Sequence, residues 1–270
     1  MTTISFIGAG NMARALIGGL LKAGHSAEQL YAADPFAEAR SQIAALGVRA
    51  SDSNATVVEN ADVVVLAVKP QVLTKVLSEM ASALPSNALV LSIVAGIPLS
   101  TISDALVGSS PIVRCMPNTP ALLGLGITGM YANNRVSAEQ KKLAETVASA
   151  AGQWVWVDEE THIDAVTAVS GSGPAYFFYL MEAMIEAGVE LGLSRDLAAK
   201  LTVATATGAA AMATQPGADA AILRQNVTSR GGSTERALGL FDEGQLNPKI
   251  RTALAGAAQR SAELAREFGR

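Results

Sequence analysis

A glycine-rich turn near the start of the chain has the spacing of an anion-binding loop. Between a short apolar run and a helical pattern lie Gly8, Gly10, Asn11 and Met12. Gly8 permits a tight turn, and the missing side chain at Gly10 lets a pyrophosphate approach the backbone. The helix N-terminus offers free N–H groups to that anion. The turn predicts a dinucleotide site, with an unliganded glycine-rich turn as the alternative.

The choice between NAD and NADP depends on the residues after the second apolar run. Asp34 lies there, and an acidic residue at this place normally hydrogen-bonds the ribose hydroxyls and disfavours a 2′-phosphate. Arg40 follows closely and can offset that charge. Asp34 is also a typical turn residue before Pro35. The residues alone leave the cofactor open between NAD and NADP.

Two later strand ends carry polar side chains that can reach the same ligand. A β-branched run ends in Ala67, Val68, Lys69 and Pro70, and Asn118 lies between two prolines after another run. Ligands of open α/β sheets bind where the strands end, so Lys69 either faces the cofactor or substrate or is a solvated lysine. Asn118 can donate and accept hydrogen bonds, or it is a turn residue.

The second half has two loops in which hydroxyls and glycines precede a helical pattern. One contains Ser229, Gly232, Ser233 and Thr234, and the other spans residues 170–174. Backbone N–H groups, a favourable helix dipole and hydroxyls together suit a carboxylate. Each loop is a candidate site for a small polar ligand, with an ordinary helix cap as the alternative.

Composition favours a folded protein with its own core and argues against several classes. Hydrophobic residues make up 50% of the 270 residues and the formal net charge is −4, whereas nucleic-acid binding needs clustered Lys and Arg. The chain does not open like a signal peptide, and no uncharged apolar run is long enough to span a membrane. Cys115 is the only cysteine, which predicts a reducing compartment and a cytoplasmic location.

The elements that position these residues change character near residue 160. Before it, apolar runs predict strands over 4–7, 30–33, 63–68, 89–94, 112–116, 127–131 and 153–157. Helices are predicted between them over 11–22, 37–46, 72–84 and 138–150. Repeated βα units with short connections predict a mostly parallel, doubly wound Rossmann-type sheet. We therefore predict an α/β dinucleotide-binding domain over residues 1–159.

Residues 160–270 are predicted to form an all-α domain for substrate binding and dimerisation. Helical patterns cover 160–169, 174–191, 195–214, 219–226, 234–243 and 248–268. Asp219 is expected to cap one helix, and Asn247 to cap another that has Pro248 at its first position. The helix over 195–214 is rich in Ala, Thr and Gly, which fits close packing within the chain or an oligomer interface.

Four segments and the Gly8 turn together resemble the signatures of the pyrroline-5-carboxylate reductases. The segments are AVKP at 67–70, RCMPNTP at 114–120, AVSGSGPAY at 168–176 and SRGGSTERAL at 229–238. They follow one another in the family's order and cover nearly the whole chain. The resemblance implies an NAD(P)H-dependent oxidoreductase that reduces the C=N bond of 1-pyrroline-5-carboxylate to give L-proline, the last step of proline biosynthesis.

The resemblance also implies a role for each candidate residue. Gly8 to Met12 would hold the pyrophosphate, Asn54 would lie near the adenosine ribose or its phosphate, and the AVKP segment and Asn118 would lie by the nicotinamide. The substrate carboxylate would be bound by the 229–234 loop, with Thr234 near the ring nitrogen as the catalytic residue and with Val169 and Ser170 as further substrate contacts. The family usually uses NADPH, so Asp34 makes NADH the alternative. Intertwined homodimers, with a decamer as the larger assembly, are implied as well.

Hydride transfer to a protonated imine needs neither a metal nor a strong base, so orientation of the reactants would supply most of the catalysis. The only histidines, His25 and His162, are predicted to be surface residues, and Cys115 is a poor nucleophile candidate without a neighbouring histidine.

A β-hydroxyacid dehydrogenase or another imine reductase is the nearest alternative, and Lys200 would be its proton-transferring residue. A non-catalytic dinucleotide sensor or scaffold is an alternative of a different class.

Overall fold

The structure, a computed structural model, describes residues 2–106 and 110–268. Its contacts divide the chain into two compact units. The first contains the described residues of Met1–Ser172 and Ala257–Arg270, and the second is Gly173–Gly256. The domain boundary predicted at residue 160 marks a change of sequence periodicity, and it stays a proposal.

The first unit is built on one eight-stranded sheet with the order β3-β2-β1-β4-β5-β6-β7-β8. Every neighbouring pair is parallel except β6 and β7, which are antiparallel. This confirms the predicted doubly wound, mostly parallel sheet. The strands are β1 Ile4–Ile7, β2 Leu30–Ala33, β3 Arg49–Ser51, β4 Val63–Leu66, β5 Leu89–Ser92, β6 Ile112–Met116, β7 Gly126–Ala132 and β8 Gly152–Trp156.

Helices connect the strands of the first unit and make up the second. In the first unit they are α1 Asn11–Lys22, α2 Ala37–Ala44, α3 Asn54–Val58, α4 Leu73–Met80, α5 Leu99–Ala105, α6 Ala138–Ser149 and α7 His162–Val166. The second unit has α8 Gly173–Glu190, α9 Arg195–Ala213, α10 Ala220–Asn226, α11 Ser233–Glu243 and the first part of α12 Leu246–Phe268. The rest of α12 belongs to the first unit.

The sheet is covered on both faces, because successive side chains of its central strands enter two different apolar clusters. Phe6 and Val65 belong to one cluster, to which α1 and α6 contribute. Ile7 and Leu66 belong to the other, to which α3, α4 and α5 contribute. A strand that is buried on both sides needs apolar residues at every position, which explains the unbroken β-branched run of β4.

Side-chain caps define where several helices begin. The Ser137 Oγ accepts from the N–H of Gln140, and the Gln140 side chain accepts from the N–H of Ser137, which is a complete capping box before α6. Asp219 caps α10 as predicted, because its carboxylate accepts from the N–H groups of Ala221 and Ile222. Asn247 does not cap α12 as predicted, because this helix begins at Leu246, one residue before Asn247. The Asn247 Oδ1 accepts instead from the Arg251 Nε at 2.8 Å.

The segment 170–174 differs from the flexible turn that its glycines and serines predict. Residues Thr167–Gly171 form a π-helical turn that continues α7, and α8 begins at Gly173. The wide turn is closed by a hydrogen bond from the N–H of Ser172 to the carbonyl of Thr167 at 2.8 Å. Within the described residues, no helix combines the length and the apolar character needed to cross a bilayer.

Candidate active site

The predicted cofactor residues come together at one edge of the sheet. Strands β1 to β6 are mutually parallel, so their carboxyl ends share that edge. The chain leaves β1 towards β2 on one side and returns as β4 on the other, and this reversal of strand order opens a crevice above β1 and β4. The Gly8 turn follows β1 and the Ala67–Pro70 segment follows β4, so both lie beside the crevice.

Gly8 is required by the protein's own backbone. Its φ is +99°, a conformation that side chains disfavour. A Cβ at Gly8 would lie 2.6 Å from the carbonyl oxygen of Ala67. Gly8 therefore allows the loops after β1 and β4 to approach each other.

Gly10 has no such constraint from the protein. Its φ of −70° and ψ of −175° are ordinary extended values, and a Cβ there would meet no protein atom within 4 Å. No side chain caps α1, whose N-cap is Gly10. The space that a Cβ would fill therefore lies beside free N–H groups of a helix N-terminus. A pyrophosphate fits this place, as the glycine pattern predicts.

A cavity of about 450 Å³ opens beside this helix N-terminus. The residues that line it come from the Gly8 turn, from α1 and from the start of α2, and include Ala9, Gly10, Arg14, Phe36 and Glu38. The Arg14 guanidinium donates to the side-chain oxygen of Asn11. A phosphate-bearing nucleotide suits this cavity, which combines backbone N–H groups, an arginine and an exposed aromatic ring.

Asp34 is already engaged in holding the loops at this edge. Its Oδ2 accepts from the N–H of Ala9 at 2.9 Å, and its Oδ1 accepts from the N–H of Phe36 at 2.9 Å. The Arg40 Nη1 donates to the backbone carbonyls of Asp34 and Pro35, each at 2.8 Å, and not to the Asp34 carboxylate. The geometry supports the interpretation of Asp34 as a turn residue. Its contact with a ribose stays a prediction.

Asn54 also lies at the carboxyl edge, shortly after β3. It is the first residue of α3, which is capped by Ser53. The Asn54 Nδ2 donates to the Glu79 Oε2 at 2.6 Å. This bond fixes the amide, and it leaves the Asn54 side-chain oxygen as the acceptor available to a nucleotide.

Asn118 follows β6 at the same edge, but its amide is used inside the first unit. Its Oδ1 accepts from the N–H of Ile127 at 3.0 Å, and its Nδ2 donates to the carbonyl of Ser170 at 3.2 Å. The residue is only 9% exposed. Val169, in contrast, is 63% exposed on the π-helical turn. The structure thus brings Asn118 to the turn that carries Val169 and Ser170.

In the second unit, the predicted substrate loop leads directly into α11. Gly231 has a φ of +72°, and the N–H of Gly232 donates to the carbonyl of Ser229 at 3.0 Å. Gly232 is the N-cap of α11 and makes no side-chain cap. Ser233 and Thr234 are the first two residues of the helix, where N–H groups have no intrahelical acceptor.

One acidic side chain also reaches the substrate loop. The Glu235 Oε2 accepts from the N–H of Gly231 at 2.7 Å. This hydrogen bond leaves the N–H groups of Ser233 and Thr234 available to bind another anion. The arrangement supports the predicted carboxylate site, whose ligand contacts stay a prediction.

Sequence reasoning missed the loop after β5. The N–H of Ile93 donates to the carbonyl of Leu66 at 3.0 Å, which places this loop beside Ala67 and the crevice. The position of this loop could have been predicted, because the residues that follow each parallel strand meet at the same edge of the sheet. No motif marks it, since Ile93, Val94 and Ala95 carry no polar side chain.

The alternative catalytic residues gain no support. Burial raises the pKa of Cys115 to about 12, so its thiol is neutral at physiological pH and is not a nucleophile. Lys200 is exposed within α9, away from the loops. His162 is exposed as predicted, whereas His25 is half-buried at the far end of α1.

A Rossmann-type sheet with an open glycine turn at its edge, followed in the same chain by a helical unit, is an arrangement found among nicotinamide-dependent oxidoreductases. Residues 3–96 match the family model described as NADP oxidoreductase coenzyme F420-dependent. Residues 160–264 match the model described as pyrroline-5-carboxylate reductase dimerisation.

Comparison with individual proteins narrows the class. The chain is 52% identical to the pyrroline-5-carboxylate reductase of Pseudomonas aeruginosa over 267 residues, covering 98% of each chain. It is 40% identical to the solved structure of that enzyme from Coxiella burnetii, with a TM-score of 0.94 and 98% of each chain covered. The Plasmodium falciparum pyrroline carboxylate reductase, solved with NADP bound, is 29% identical with a TM-score of 0.87 and the same coverage. The chain belongs to the pyrroline-5-carboxylate reductase family.

Proposed function

We propose that this protein reduces 1-pyrroline-5-carboxylate to L-proline, with NADPH as the hydride donor. The observation that carries the proposal is the 52% identity over 98% of the chain to a reductase named for this substrate. The open turn at Gly10 and the uncapped start of α11 supply matching sites for a dinucleotide and for a carboxylate. The reaction adds one hydride to the imine carbon and one proton to the imine nitrogen.

Bound NADPH supplies the hydride, and the protein's residues bind and orient the two reactants. The N–H groups at the start of α1 hold the pyrophosphate, with Gly8, Gly10, Asn11 and Met12 forming the cradle. The loop after β4, from Ala67 to Pro70, lies across the crevice, where the nicotinamide half would bind. Asn54 is proposed to contact the adenosine ribose or its phosphate.

The substrate carboxylate is bound by Ser229, Gly232, Ser233 and Thr234 through hydroxyls and the N–H groups at the start of α11. Val169 and Ser170 contact the pyrroline ring. Thr234 is half-buried, and its hydroxyl orients the ring nitrogen and holds its proton. Orienting two reactants in this way can supply roughly 7–11 kcal/mol.

We propose that NADPH is preferred to NADH because both oxygens of the Asp34 carboxylate are engaged by the protein. Each of them accepts one backbone N–H before a nucleotide binds. Arg14 lines the adjoining cavity and is the cation available to a 2′-phosphate. The Plasmodium relative with NADP bound supports the same preference.

The chain forms homo-oligomers, since residues 160–264 match the family's dimerisation model. We propose that the dimer is intertwined through the helical unit and that dimers assemble further into a decamer. Light scattering coupled to size-exclusion chromatography distinguishes a dimer from a decamer. The cytoplasmic location stays a prediction from composition.

The test of function is oxidation of NADPH and of NADH at 340 nm with 1-pyrroline-5-carboxylate, with proline identified as the product. Turnover with proline formation supports the proposed reaction. A kcat/KM that is higher with NADPH than with NADH supports the proposal that Asp34 does not act against NADPH. Binding of the dinucleotide without turnover would contradict the proposed substrate, and it would favour another imine, a hydroxy acid or a sensing role.

The role of Thr234 is tested with a matched pair of variants. Thr234→Val keeps the shape and removes the hydroxyl, so kcat should fall on the order of 10²-fold, the lower end of what positioned proton transfer contributes. Thr234→Ser keeps the hydroxyl and should retain most of the activity. The Kd of NADPH should not change in either variant. An active Thr234→Val protein would remove Thr234 from the mechanism.

A further inference from the structure

The side-chain amide of Asn118 joins two segments of the first unit that are distant in sequence. Its two hydrogen bonds, from the N–H of Ile127 and to the carbonyl of Ser170, use both ends of the amide. The bond from Ile127 reaches the start of β7, nine residues along the chain. The bond to Ser170 reaches the π-helical turn, 52 residues along the chain.

The π-helical turn Thr167–Gly171 is bonded both to the preceding turn of the chain and to a residue outside the helix. The hydroxyls of Thr167 and Ser170 donate back to the carbonyls of Ile163 and Val166, at 2.8 and 3.0 Å. Isolated π-helical turns are rare and occur frequently at functional sites. The carbonyl of Ser170 receives its hydrogen bond from outside the helix, from Asn118. That bond favours the wide turn over a regular helical one.

The end of β6 also packs directly against this turn. A Cβ at Gly171 would lie 2.6 Å from the Met116 Cε. Met116 and Asn118 therefore meet the turn at neighbouring points, one by contact and the other by a hydrogen bond. Val169, which is exposed, lies on the same turn, next to Ser170.

We propose that Asn118 is a positioning residue for the substrate, acting through Ser170 and not through the dinucleotide. The inference rests on the proposed function, in which Val169 and Ser170 contact the pyrroline ring. With the Asn118 amide in place, the turn holds the Val169 side chain in one position. Without this hydrogen bond the turn relaxes, and the substrate loses a binding surface that was ordered before it bound.

The chain offers a matched control for this bond. Asn133 clamps the other end of the β6–β7 pair, where its Oδ1 accepts from the N–H of Ile112 at 3.2 Å and its Nδ2 donates to the carbonyl of Ser110 at 3.1 Å. Asn118→Asp and Asn133→Asp each remove one such donor and keep an acceptor oxygen. Only Asn118 adjoins the π-helical turn.

The experiment measures both variants in steady-state kinetics and in amide hydrogen exchange. In Asn118→Asp the KM for 1-pyrroline-5-carboxylate should rise about tenfold, the scale of one lost hydrogen bond. The Kd of NADPH should stay within about twofold of the wild-type value. Exchange across residues 167–172 should accelerate in the protein without ligand. Asn133→Asp should leave the KM and this exchange unchanged.

A loss of NADPH affinity in Asn118→Asp, with the substrate KM unchanged, would overturn the inference and return Asn118 to the cofactor site. Equal effects of both variants on the KM would overturn it too, because the cause would then be general stability. If Asn118→Asp does not fold, Asn118→Ser removes the same donor with less strain. If the wild-type protein does not turn over the substrate, the proposed function fails, and the exchange data still decide whether Asn118 holds the turn.

Discussion

Gly8 and Gly10 lie close together in one turn and yet are glycines for different reasons. Gly8 has a positive φ and no room for a Cβ beside Ala67, so the fold itself requires it. Gly10 has an ordinary conformation and open space where a Cβ would be. The glycine pattern predicts both residues from the sequence, but only the structure separates the folding role from the binding role.

Substitution by alanine should separate these two roles. Gly8→Ala should lower the free energy of unfolding by roughly 1–3 kcal/mol, because the alanine is strained at this φ. Gly10→Ala should leave stability unchanged and should weaken NADPH binding at least about tenfold, since the methyl group occupies the space for the pyrophosphate. Urea unfolding and fluorescence titration measure the two effects. Normal NADPH affinity in Gly10→Ala would contradict the placement of the pyrophosphate.

Burial of Cys115 makes a prediction about stability at high pH. Burial raises the pKa of this thiol from 9.0 to about 12, so the thiol stays neutral in the folded state while it ionises in the unfolded chain. The stability that it contributes is full below about pH 9 and is lost as the pH rises towards 12. Between pH 8 and 10.5, the wild-type protein should lose more unfolding free energy than Cys115→Ala does. Parallel curves for the two proteins would refute this.

At the scale of the elements, an ionic network around the buried Arg114 ties together β6, α7 and α12. Arg114 is only 4% exposed, and its Nη1 lies 3.0 Å from the Glu160 Oε1. The same Glu160 oxygen accepts from the N–H of Leu99 at 2.8 Å, at the start of α5. Asp164 lies 4.0 Å from the Arg114 Nη2 and accepts from the Ser261 hydroxyl at 2.7 Å. One arginine on the sheet thus anchors helices from distant parts of the sequence.

Removal of this arginine should destabilise the first unit. Arg114→Met keeps an unbranched apolar side chain but leaves the Glu160 and Asp164 carboxylates without their cation, so we expect a loss of about 2–4 kcal/mol in urea unfolding. Arg260→Met is the control, because Arg260 makes exposed ion pairs with Glu263 and Glu267. Such pairs contribute little, and the control should unfold like the wild type. Equal unfolding of the two variants would show that the buried network contributes nothing to stability.

Elements with strong local signals were predictable, and those fixed by distant contacts were not. The long helices and the central strands agree with their apolar periodicity to within a few residues. The short β3, α3 and α5 have too few residues for a periodic pattern. The sequence predicts a helix to residue 169 and a loop over 170–174, and it does not predict the π-helical turn Thr167–Gly171, which contacts Asn118 and Met116 from a distant part of the chain. The Arg114 network was not predicted either, since its partners lie in other elements.

The residues of the candidate site divide in the same way, into those that local motifs predict and those whose contacts depend on distant parts of the chain. Sequence patterns predict the turn at Gly8, the strand ends and the loop before α11 because each is a local motif. They leave Asp34 open between a ribose contact and a turn residue, and the family resemblance implies a place by the nicotinamide for Asn118. In the structure both side chains form hydrogen bonds within the protein, and their contacts with a cofactor stay predictions. What a polar side chain contacts depends on neighbouring loops, which local patterns do not describe.

At the scale of the whole molecule, the second unit exposes a run of large aromatic side chains. On α8, Phe177 and Phe178 are each 64% exposed and Tyr179 is 76% exposed. Exposed clusters of large apolar residues mark interaction surfaces, and residues 160–264 match a dimerisation model. We therefore predict that these rings lie in the interface between copies of the chain.

A charge within this cluster should weaken self-association. Phe178→Glu should shift the oligomer towards the monomer and should make the Tm depend strongly on protein concentration. Leu46→Glu is the control, because Leu46 is 42% exposed in the first unit, outside the dimerisation match. Sedimentation velocity over a range of concentrations measures the effect. Unchanged assembly of Phe178→Glu would place the interface elsewhere on the helical unit.

The last helix has a consequence for how the chain is made. Residues 257–268 of α12 belong to the first unit, where Ser261 bonds to Asp164, Leu264 packs on Gly96 and Phe268 joins one of the apolar clusters. When all eight strands have been synthesised, the residues of α12 that pack on the first unit have therefore not yet been made. They are added only after the entire helical unit, so the nucleotide-binding unit cannot complete its packing before the final turns of α12 are translated. Nascent chains released before Ala257 should bind chaperones in place of completing this unit.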